Sequence, residues 1–520
     1  MKPKKYILHF AALITTIIFV SSCSKNLDTL PENRTFTGAT DYTKTSDMIL
    51  PLIGTYQQLS AVDVEWSDFA AIGVRGDDVN AGGGNAPGVS GDQPQLGEED
   101  EYIYDATTWF YNALWSDYYQ HIINSNSAME QIALYKAQAS GNNIALADQY
   151  TAEVKVLRAW WLFQLSRVWG GLLIPTSSDP AALYSLPLIT RDQVMQHISD
   201  QMDEAISLLP DSRPNQRTDI PGGVTKYTAL AIKALANLEL KQYQKVADAT
   251  GEIINSGKFI LESDYYNLFK LKGKLNSENL LEKQYSDFKT GSGDNYYYLY
   301  AFFGPQGWTP KVAGAGDGWG FYEPSMKYIK FMLDRGEVTR LQTTVCFTNR
   351  GIAEIQKDTK YATLPSWISN TTLSGDVFND YARAMFASGK HYLPSDQLTA
   401  GRTNYGTNKN FTCIRYAQIL LMYAEALTQG ASGTAGTADN AVNLVRARAG
   451  IPALTGVTND DVMNEKFAEL ATEWGDRYYD MVRLSKTAEL SYDGRTFTTD
   501  KAFLPYPQAQ VDLLPALKGK

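Results

Sequence analysis

The sequence is poor in cysteine, with only Cys23, Cys346 and Cys413 in 520 residues. Small secreted domains that depend on disulfides carry more cysteines at regular spacings, so a disulfide framework is excluded. If Cys23 is modified, as argued below, two cysteines remain, and nothing in the sequence indicates that they pair. The length and the 44% hydrophobic content are sufficient for a large core without cross-links.

Histidine is also scarce, and the motifs of nucleotide and metal chemistry are missing. His121, His197 and His391 lie too far apart to show a metal-ligand spacing, and His9 belongs to the N-terminal segment. The sequence has no GxxxxGK[ST], HExxH or GxSxG motif, and "GAGDGWG" lacks the spacing of a dinucleotide-binding loop. The stretch "GEEDE" at 97–101 lacks the register of a calcium loop, which favours a solvated acidic loop. We therefore predict no cofactor and no metal.

Basic residues are fewer than acidic residues. The chain has 47 lysines and arginines against 57 acidic residues, a net charge of −10 at pH 7. Residues 1–22 contain three lysines and no acid, so the chain without them would have a net charge of −13. No basic cluster is left that could bind nucleic acid or anionic headgroups, and we predict no nucleic-acid partner.

Long apolar runs are absent except at the N-terminus. Three lysines precede an apolar run at residues 6–20 that is too short to span a bilayer comfortably, and "VSSC", ending at Cys23, follows. This order is typical of an export signal, and "VSSC" resembles a bacterial lipobox, in which the cysteine after the cleavage point is lipidated. We predict a signal peptide at 1–22 and a tether at 23–40 that is anchored in a membrane by lipid on Cys23. A plain secretory signal is the alternative.

Hydrophobic periodicity predicts a mainly α protein. Apolar residues recur at steps of three and four along 152–169, and Gly170 and Gly171 are expected to end that helix. Further helices are predicted at 191–208, as an antiparallel pair turning near Lys241, at 411–430, and at 460–486. We predict a tetratricopeptide-like superhelix of helix pairs with a loop-rich, aromatic-rich insert that contains short strands. The predicted parts are 41–258, helical; 259–410, the ligand-binding insert; and 411–520, helical.

Aromatic residues are abundant, and "SGDNYYYLYAFFGPQGW" at 292–308 is the densest run. Alternation in "YYYLY" is consistent with a strand that buries Tyr296, Tyr298 and Tyr300, or Tyr297 in the other register. Trp308 and Trp319 lie between glycines and prolines, where burial in a helix or sheet is least expected. We predict that both tryptophans stack on a ligand, with these candidates beside them: Tyr296, Tyr297, Tyr298 and Tyr322.

The segment 75–101 is rich in glycine, proline and acid, and we predict that it is an exposed loop. Arginine offers planar donors and aspartate accepts paired hydroxyls, so the predicted polar ligand contacts are Asp68, Arg75, Asp77 and Asp78. The alternatives for these carboxylates are to cap a helix or to bind only water.

Seven stretches, in order along the chain, resemble the SusD/RagB family of outer-membrane lipoproteins. They are "RAWWLFQLSRVWGGLLIPT", "KYTALAIKALANLELKQYQKVADATGEIINSGKFIL", "NSENLLEKQYS", "FTCIRYAQILLMYAEAL", "AVNLVRARAGIPAL", "LATEWGDRYYDMVRLSK" and "FLPYPQAQVDLLPAL". The resemblance implies a lipid-anchored, non-catalytic binding protein on the outer membrane, facing the cell exterior. It also implies a SusC-like TonB-dependent barrel as partner, to which captured oligosaccharides are delivered, or peptides in the RagB branch.

Two other readings are kept open. A glycoside hydrolase would need two carboxylates beside an aromatic platform, and Asp317 and Glu323 are the candidates. A purely structural lid would bind no ligand of its own. The charges of "EWGDRYYDMVR" are expected to form ion pairs along one helix side, at Glu473–Arg477, Arg477–Asp480 and Asp480–Arg483, rather than a catalytic cluster.

Overall fold

The computed structural model describes residues 40–60, 65–82, 94–285, 303–312, 314–381, 384–398, 400 and 408–520. The predicted signal peptide, the tether up to residue 39 with Cys23, and Tyr296, Tyr297 and Tyr298 lie outside the described residues.

The described residues form a mainly α structure, as predicted. The α-helices are α1 Ile49–Leu59, α2 Glu65–Ile72, α3 Pro94–Asp100, α4 Trp109–Gln138, α5 Asn142–Trp169, α6 Arg191–Ile206, α7 Lys226–Glu239, α8 Tyr243–Asn255, α9 Tyr265–Leu268, α10 Met326–Asp334, α11 Thr339–Thr344, α12 Asn349–Gln356, α13 Tyr416–Thr428, α14 Ala438–Ala449, α15 Asn459–Leu470, α16 Asp476–Arg483 and α17 Gln508–Leu513.

Helices α4 to α8 pack each on the next, and α8 then packs on α13, which contacts α14 and α15. The predicted superhelix of helix pairs is therefore confirmed. Its C-terminal helices follow α8 in space, because α13 packs on α8. Helix α5 ends at Gly170, whose φ of +76° stops the helix as predicted. Almost every α5 side chain from Ala152 to Trp169 is buried. Helix α5 is therefore surrounded by protein on all sides, whereas a surface helix buries only one face.

Short strands occur in the three antiparallel pairs β1–β3, β2–β6 and β4–β5. Their bounds are β1 Val79–Asn80, β2 Asn279–Lys283, β3 Glu323–Pro324, β4 Val345–Phe347, β5 Phe386–Ser388 and β6 Phe411–Arg415. The pair β2–β6 joins the insert to the C-terminal helices, with Asn279 opposite Arg415 and Lys283 opposite Phe411.

Two boundary predictions in the C-terminal part are wrong. Residues 411–415 form β6, and the helix begins only at Tyr416. The predicted helix at 460–486 is two helices, α15 and α16, because the chain turns between them at Gly475, whose φ is +69°.

A buried ion-pair network links the insert to the C-terminal helices. Arg415 contacts Glu278 at 3.0 Å and Glu469 at 2.6 Å, and Arg340 contacts Glu469 at 3.2 Å. Burial opposes ionisation of Glu469, but the guanidinium groups of Arg448, Arg415 and Arg340 outweigh it and lower its pKa to about 2. Moving the insert away from the C-terminal helices would leave buried charges without partners, which is energetically costly. The network therefore holds the insert in a defined position.

The predicted ion pairs of "EWGDRYYDMVR" are confirmed only at Asp480–Arg483, which are 2.6 Å apart. Glu473 precedes α16 and contacts Arg415 at 2.7 Å, and Arg477 contacts Asp77 at 2.7 Å. The charges therefore connect α16 to distant parts of the chain. None of the helices in the described ranges combines the length and hydropathy needed to cross a membrane.

Candidate functional site

Three loop segments of the insert pack on one another, and we call them the loop platform: residues 303–308, 317–322 and 379–381. The N–H of Gly318 donates to the carbonyl of Pro305 at 2.8 Å, and the N–H of Gly320 donates to the carbonyl of Gly304 at 3.0 Å. A Cβ atom on Gly318 would lie 2.4 Å from the carbonyl carbon of Gly304, so only glycine permits this approach.

The third segment is fastened to the other two. The N–H of Asn379 donates to the carbonyl of Gly307 at 3.0 Å, and the N–H of Gly307 donates to the Asp317 carboxylate at 3.2 Å. Gly320 has a φ of +70° and lies against the ring of Tyr381. The platform is thus held by main-chain hydrogen bonds and by close glycine contacts.

Gln306, Asp317, Trp319 and Tyr381 are the half-buried side chains among the described residues of this platform. The ring of Trp319 meets Phe321 edge to face, with centroids 6.2 Å apart, and the hydroxyl of Tyr381 donates to the carbonyl of Phe386 at 3.0 Å. Partial burial raises the pKa of Asp317, and its hydrogen bond from Gly307 opposes that rise. Two aromatic rings beside a carboxylate suit a ligand that has flat apolar faces and hydroxyl groups.

The prediction that Trp308 is exposed is wrong, since only 5% of it is exposed. Its indole N–H donates to the carbonyl of Pro305 at 3.1 Å, and its ring lies 5.5 Å from that of Phe378 and 5.4 Å from that of Tyr392. Glycine and proline indicated correctly that the backbone is irregular here. They did not exclude burial, because aromatic residues from a later segment cover the ring.

Tyr322 is also buried, with its ring centroid 4.3 Å from that of Phe303 and 5.7 Å from that of His391. Its side chain therefore belongs to the core beneath the platform. The other predicted aromatic contacts, Tyr296, Tyr297 and Tyr298, precede the platform in the sequence and lie outside the described residues.

The expectation of an exposed loop from residue 75 is wrong for Arg75 to Asp78, and Asp68 in α2 is buried as well. Asp68 accepts a hydrogen bond from the hydroxyl of Tyr118 at 2.5 Å and pairs with Lys283. Arg75 lies 3.2 Å from Glu99 and 4.5 Å above the ring of Tyr478. These charged groups pair with one another inside the protein.

Asp77 and Asp78 fasten the same segment to the C-terminal part. Asp77 contacts Arg477 at 2.7 Å and Lys327 at 2.7 Å, and Asp78 accepts from the N–H of Thr472 at 2.9 Å. Burial raises the pKa of Asp78 to about 6, with the hydrogen bond from Thr472 opposing it. The structure thus places these predicted ligand contacts in internal ion pairs and hydrogen bonds.

The acidic stretch at 97–101 is a helix end rather than the solvated loop that was expected. Glu99 faces Arg75, and Asp100 lies 2.9 Å from Arg495. Among the described residues no group of three histidine, cysteine, aspartate or glutamate side chains could hold a metal ion, and Cys346 and Cys413 are buried free thiols.

The regions of the chain that match known protein families and relatives together span most of its length. The model of the SusD family matches residues 277–519, and a model described as "Starch-binding associating with outer membrane" matches residues 91–238. The SusD-like protein P2 of Formosa agariphila is 24% identical over 503 residues, which are 92% of this chain and 91% of that protein. The chain belongs to the SusD/RagB family.

Solved structures of the SusD type share the fold. Surface glycan-binding protein A from Bacteroides fluxus aligns with a TM-score of 0.73 at 22% identity, over 91% of this chain and 97% of that chain. Surface glycan-binding protein A from Bacteroides thetaiotaomicron, in complex with laminarihexaose, aligns with a TM-score of 0.70 at 21% identity, over 91% and 98%. The tetratricopeptide-like helical architecture predicted from the sequence is therefore that of SusD-like proteins.

The two carboxylates considered for a hydrolase, Asp317 and Glu323, differ in burial and in hydrogen-bond partners. Glu323 in β3 is 1% exposed, and its Oε1 accepts the N–H groups of Met385 at 2.6 Å and Phe386 at 3.0 Å. Asp317 is half-buried and accepts from Gly307. Hydrolysis would need both carboxylates to flank a bond of the substrate, and Glu323 is occupied in holding the backbone before β5.

Sequence reasoning missed Tyr381 and Asn379 as parts of the site. The signal was "FNDYAR" at 378–383, a tyrosine between polar residues in a segment without helical or strand periodicity. Nothing local, however, indicates that this segment lies against Gly307 and Gly320, because the contact joins residues far apart in the chain.

Proposed function

We propose that the protein is a cell-surface lipoprotein that captures neutral oligosaccharides on the loop platform. The proposal rests above all on one observation. Trp319 and Tyr381 are half-buried and lie in glycine-rich loop segments that pack closely on one another, together with Asp317. Sugar rings present C–H faces that stack on aromatic rings, and their hydroxyls need acceptors nearby. The solved relative in complex with laminarihexaose supports this ligand class.

Trp319, Tyr381 and Asp317 are the proposed contacts, and Tyr296, Tyr297 and Tyr298 stay predicted candidates. We propose that no bond of the ligand is broken, since Glu323 is committed to backbone N–H groups. Capture without chemistry suits a protein that passes its ligand on.

Delivery needs a partner in the outer membrane, and the proposed partner is a SusC-like TonB-dependent barrel. Lipid on Cys23 would fix the height of the protein above the membrane but not its orientation, so a protein contact must hold it in register. Mild detergent extraction of native membranes should co-purify the protein with such a barrel. Recovery of the protein alone after every extraction would contradict the partnership.

The ligand class is tested by calorimetry on the chain without residues 1–23. Laminarihexaose, maltoheptaose and mixed oligopeptides are titrated separately, and chromatography of each mixture after a day checks for cleavage. We expect heat from at least one oligosaccharide, none from peptides, and no cleavage. Binding of peptides alone would replace the proposal by peptide capture, and cleavage would contradict the absence of catalysis.

A further inference from the structure

A cleft rich in arginine lies between α5, α6, α7 and α16, and we call it the arginine cleft. Its volume is about 440 Å³, which is within the usual range of small-molecule sites, about 300–1,000 Å³. Four basic side chains line it, against two acidic ones: Arg167, Arg191, Lys241 and Arg483, with Asp192 and Glu239. The cleft shares no described residue with the loop platform, so the two are separate sites.

Arg167 is the most deeply buried basic side chain of the cleft, at 5% exposed, and its guanidinium carbon lies 3.8 Å from the ring centroid of Tyr479. Its Nη2 is 3.1 Å from the carboxylate of Asp476. Its buried Nε has no hydrogen-bond partner in the part of the chain that the structure describes. A guanidinium has five N–H donors, and a buried donor without a partner is uncommon in native proteins. Arg167 therefore retains the capacity to donate to a further acceptor.

Arg191, the first residue of α6, brings a second guanidinium to the cleft. It pairs with Glu239 and lies 3.4 Å from Asp192. Burial lowers the pKa of Arg191, and repulsion from Arg483 and Arg167 adds to this effect, although attraction by Asp192 opposes it. The three guanidinium groups are thus close enough to repel one another, and a bound anion would relieve that repulsion.

The other two basic side chains differ in how far they are neutralised. Arg483 lies 2.6 Å from Glu425 and 2.6 Å from Asp480, so carboxylates already compensate its charge. Lys241 is exposed and forms no ion pair with any described residue. The positive charge most available to a ligand in the cleft is therefore that of Lys241.

Part of the lining is apolar. Leu240, Val482 and Phe503 line the cleft, and all three are only half-buried. A small inorganic anion would leave these side chains in contact with water, whereas an apolar ligand would desolvate the basic groups without offering them a counter-charge. A molecule with an anionic group and an apolar body suits both kinds of lining.

We propose that the arginine cleft binds a small organic acid, whose carboxylate lies among Arg167, Arg191 and Lys241 and whose apolar body lies against Leu240, Val482 and Phe503. A carboxylate accepts several hydrogen bonds at once, which matches the donors that remain on the basic side chains. The site goes beyond the proposed function, since it requires neither a sugar nor the loop platform.

The test is fluorine NMR of para-fluorobenzoate with the chain without residues 1–23. We expect the resonance to broaden, with a Kd on the order of 1 mM for a ligand of about ten heavy atoms. The neutral para-fluorobenzamide should not broaden. K241Q should weaken binding about threefold, the value of an exposed ion pair. K245Q is the matched control and should leave binding unchanged, because Lys245 is exposed on α8 and does not line the cleft.

The apolar contact is tested separately. F503A should weaken binding of para-fluorobenzoate about threefold, the value of one aromatic contact. Inorganic phosphate should displace the probe only at a concentration about tenfold higher, because phosphate buries no apolar surface. Displacement at equal concentrations would contradict an organic acid as ligand. Circular dichroism checks that each variant is folded, and K241Q should keep the wild-type melting temperature because Lys241 is exposed.

Three further results would overturn the proposal. The first is a para-fluorobenzoate resonance that the wild-type protein does not broaden. The second is equal broadening of para-fluorobenzamide, which would show that the negative charge is not recognised. The third is the same affinity in K241Q and K245Q, which would mean that Lys241 does not contact the probe. Each of these results would leave glycan capture on the loop platform untouched.

Discussion

At the scale of single residues, Trp308 and Trp319 have similar neighbours in sequence and different environments in the fold. Both follow glycine in segments without periodicity, and that context predicted loops correctly. Burial could not be predicted from it, because Trp308 is covered by Phe378 and Tyr392, which come much later in the chain.

Replacing Trp308 by alanine should lower the free energy of unfolding by about 3–5 kcal/mol, the usual cost of removing a large buried aromatic side chain. Trp319→Ala is the matched control, and because its ring is half-buried it should cost about 1–2 kcal/mol. Thermal melting followed by circular dichroism measures both. Equal losses would contradict the distinction between a core ring and a surface ring.

Glu323 makes stability depend on pH in a defined direction. Burial raises its pKa to about 7, against the opposing hydrogen bonds from Met385 and Phe386. The folded protein therefore holds a proton that the unfolded chain has released above its ordinary pKa of about 4.5. This contribution to stability is complete below about pH 4.5 and is lost as the pH rises through 7.

Glu323→Gln should flatten that dependence, because glutamine keeps an acceptor oxygen and cannot titrate. Between pH 5 and pH 8 the variant should lose less unfolding free energy than the wild type, by on the order of 2–3 kcal/mol. Denaturant titrations at several pH values measure this. Parallel curves for the two proteins would show that Glu323 does not titrate in this range.

At the scale of elements, long helices with clear periodicity were predicted best. The turn near Lys241, whose φ is +56°, and the end of α5 at Gly170 are confirmed. Strand β6 was missed because "FTCIR" runs without a break into the helical pattern of α13, and its pairing with β2 is a long-range contact. The break between α15 and α16 was missed because a single glycine, Gly475, within a helical pattern was not taken as a turn.

The break at Gly475 has a sharp consequence for substitution. A Cβ atom there would lie 2.3 Å from the carbonyl oxygen of Ile72, and its φ is +69°. Gly475→Ala should cost at least about 2–3 kcal/mol, because the strain of positive φ adds to a clash with backbone. Gly450, with φ +76° and nothing within 4 Å, is the control, and Gly450→Ala should cost about 1 kcal/mol.

The comparison of the two alanine variants by thermal melting is decisive. A larger loss in Gly475→Ala supports the close packing of α16 on α2. Equal losses would mean that the backbone at 471–475 shifts freely to accommodate the added methyl group.

At the scale of the whole molecule, sequence patterns predicted the helical frame and the insert but not how they are joined. Arg75 and Asp77 were expected at a surface loop, and they lie under α16 instead. Their partners, Tyr478 and Arg477, lie some 400 positions later in the chain, a contact that no local pattern reveals. The family resemblance predicted the helical fold and an oligosaccharide or peptide ligand, while the platform geometry came from the structure.

Membrane attachment is predicted from "VSSC", which lies outside the described residues. Cys23→Ala should release the protein from membranes without altering its melting temperature, because the lipid is attached at the tether and not in the fold. Membrane fractionation measures the release. A variant that still sediments with the outer membrane would contradict lipid anchoring at this cysteine.

The most direct test of the central claim is the affinity of the chain without residues 1–23 for the oligosaccharide found by calorimetry, measured for wild type, W319A and W308F. We predict that W319A weakens binding about tenfold, the value of one stacked ring of about 1–2 kcal/mol. W308F should keep the wild-type affinity, because Trp308 faces the core. Wild-type affinity in W319A, with the fold intact, would contradict glycan capture on the loop platform.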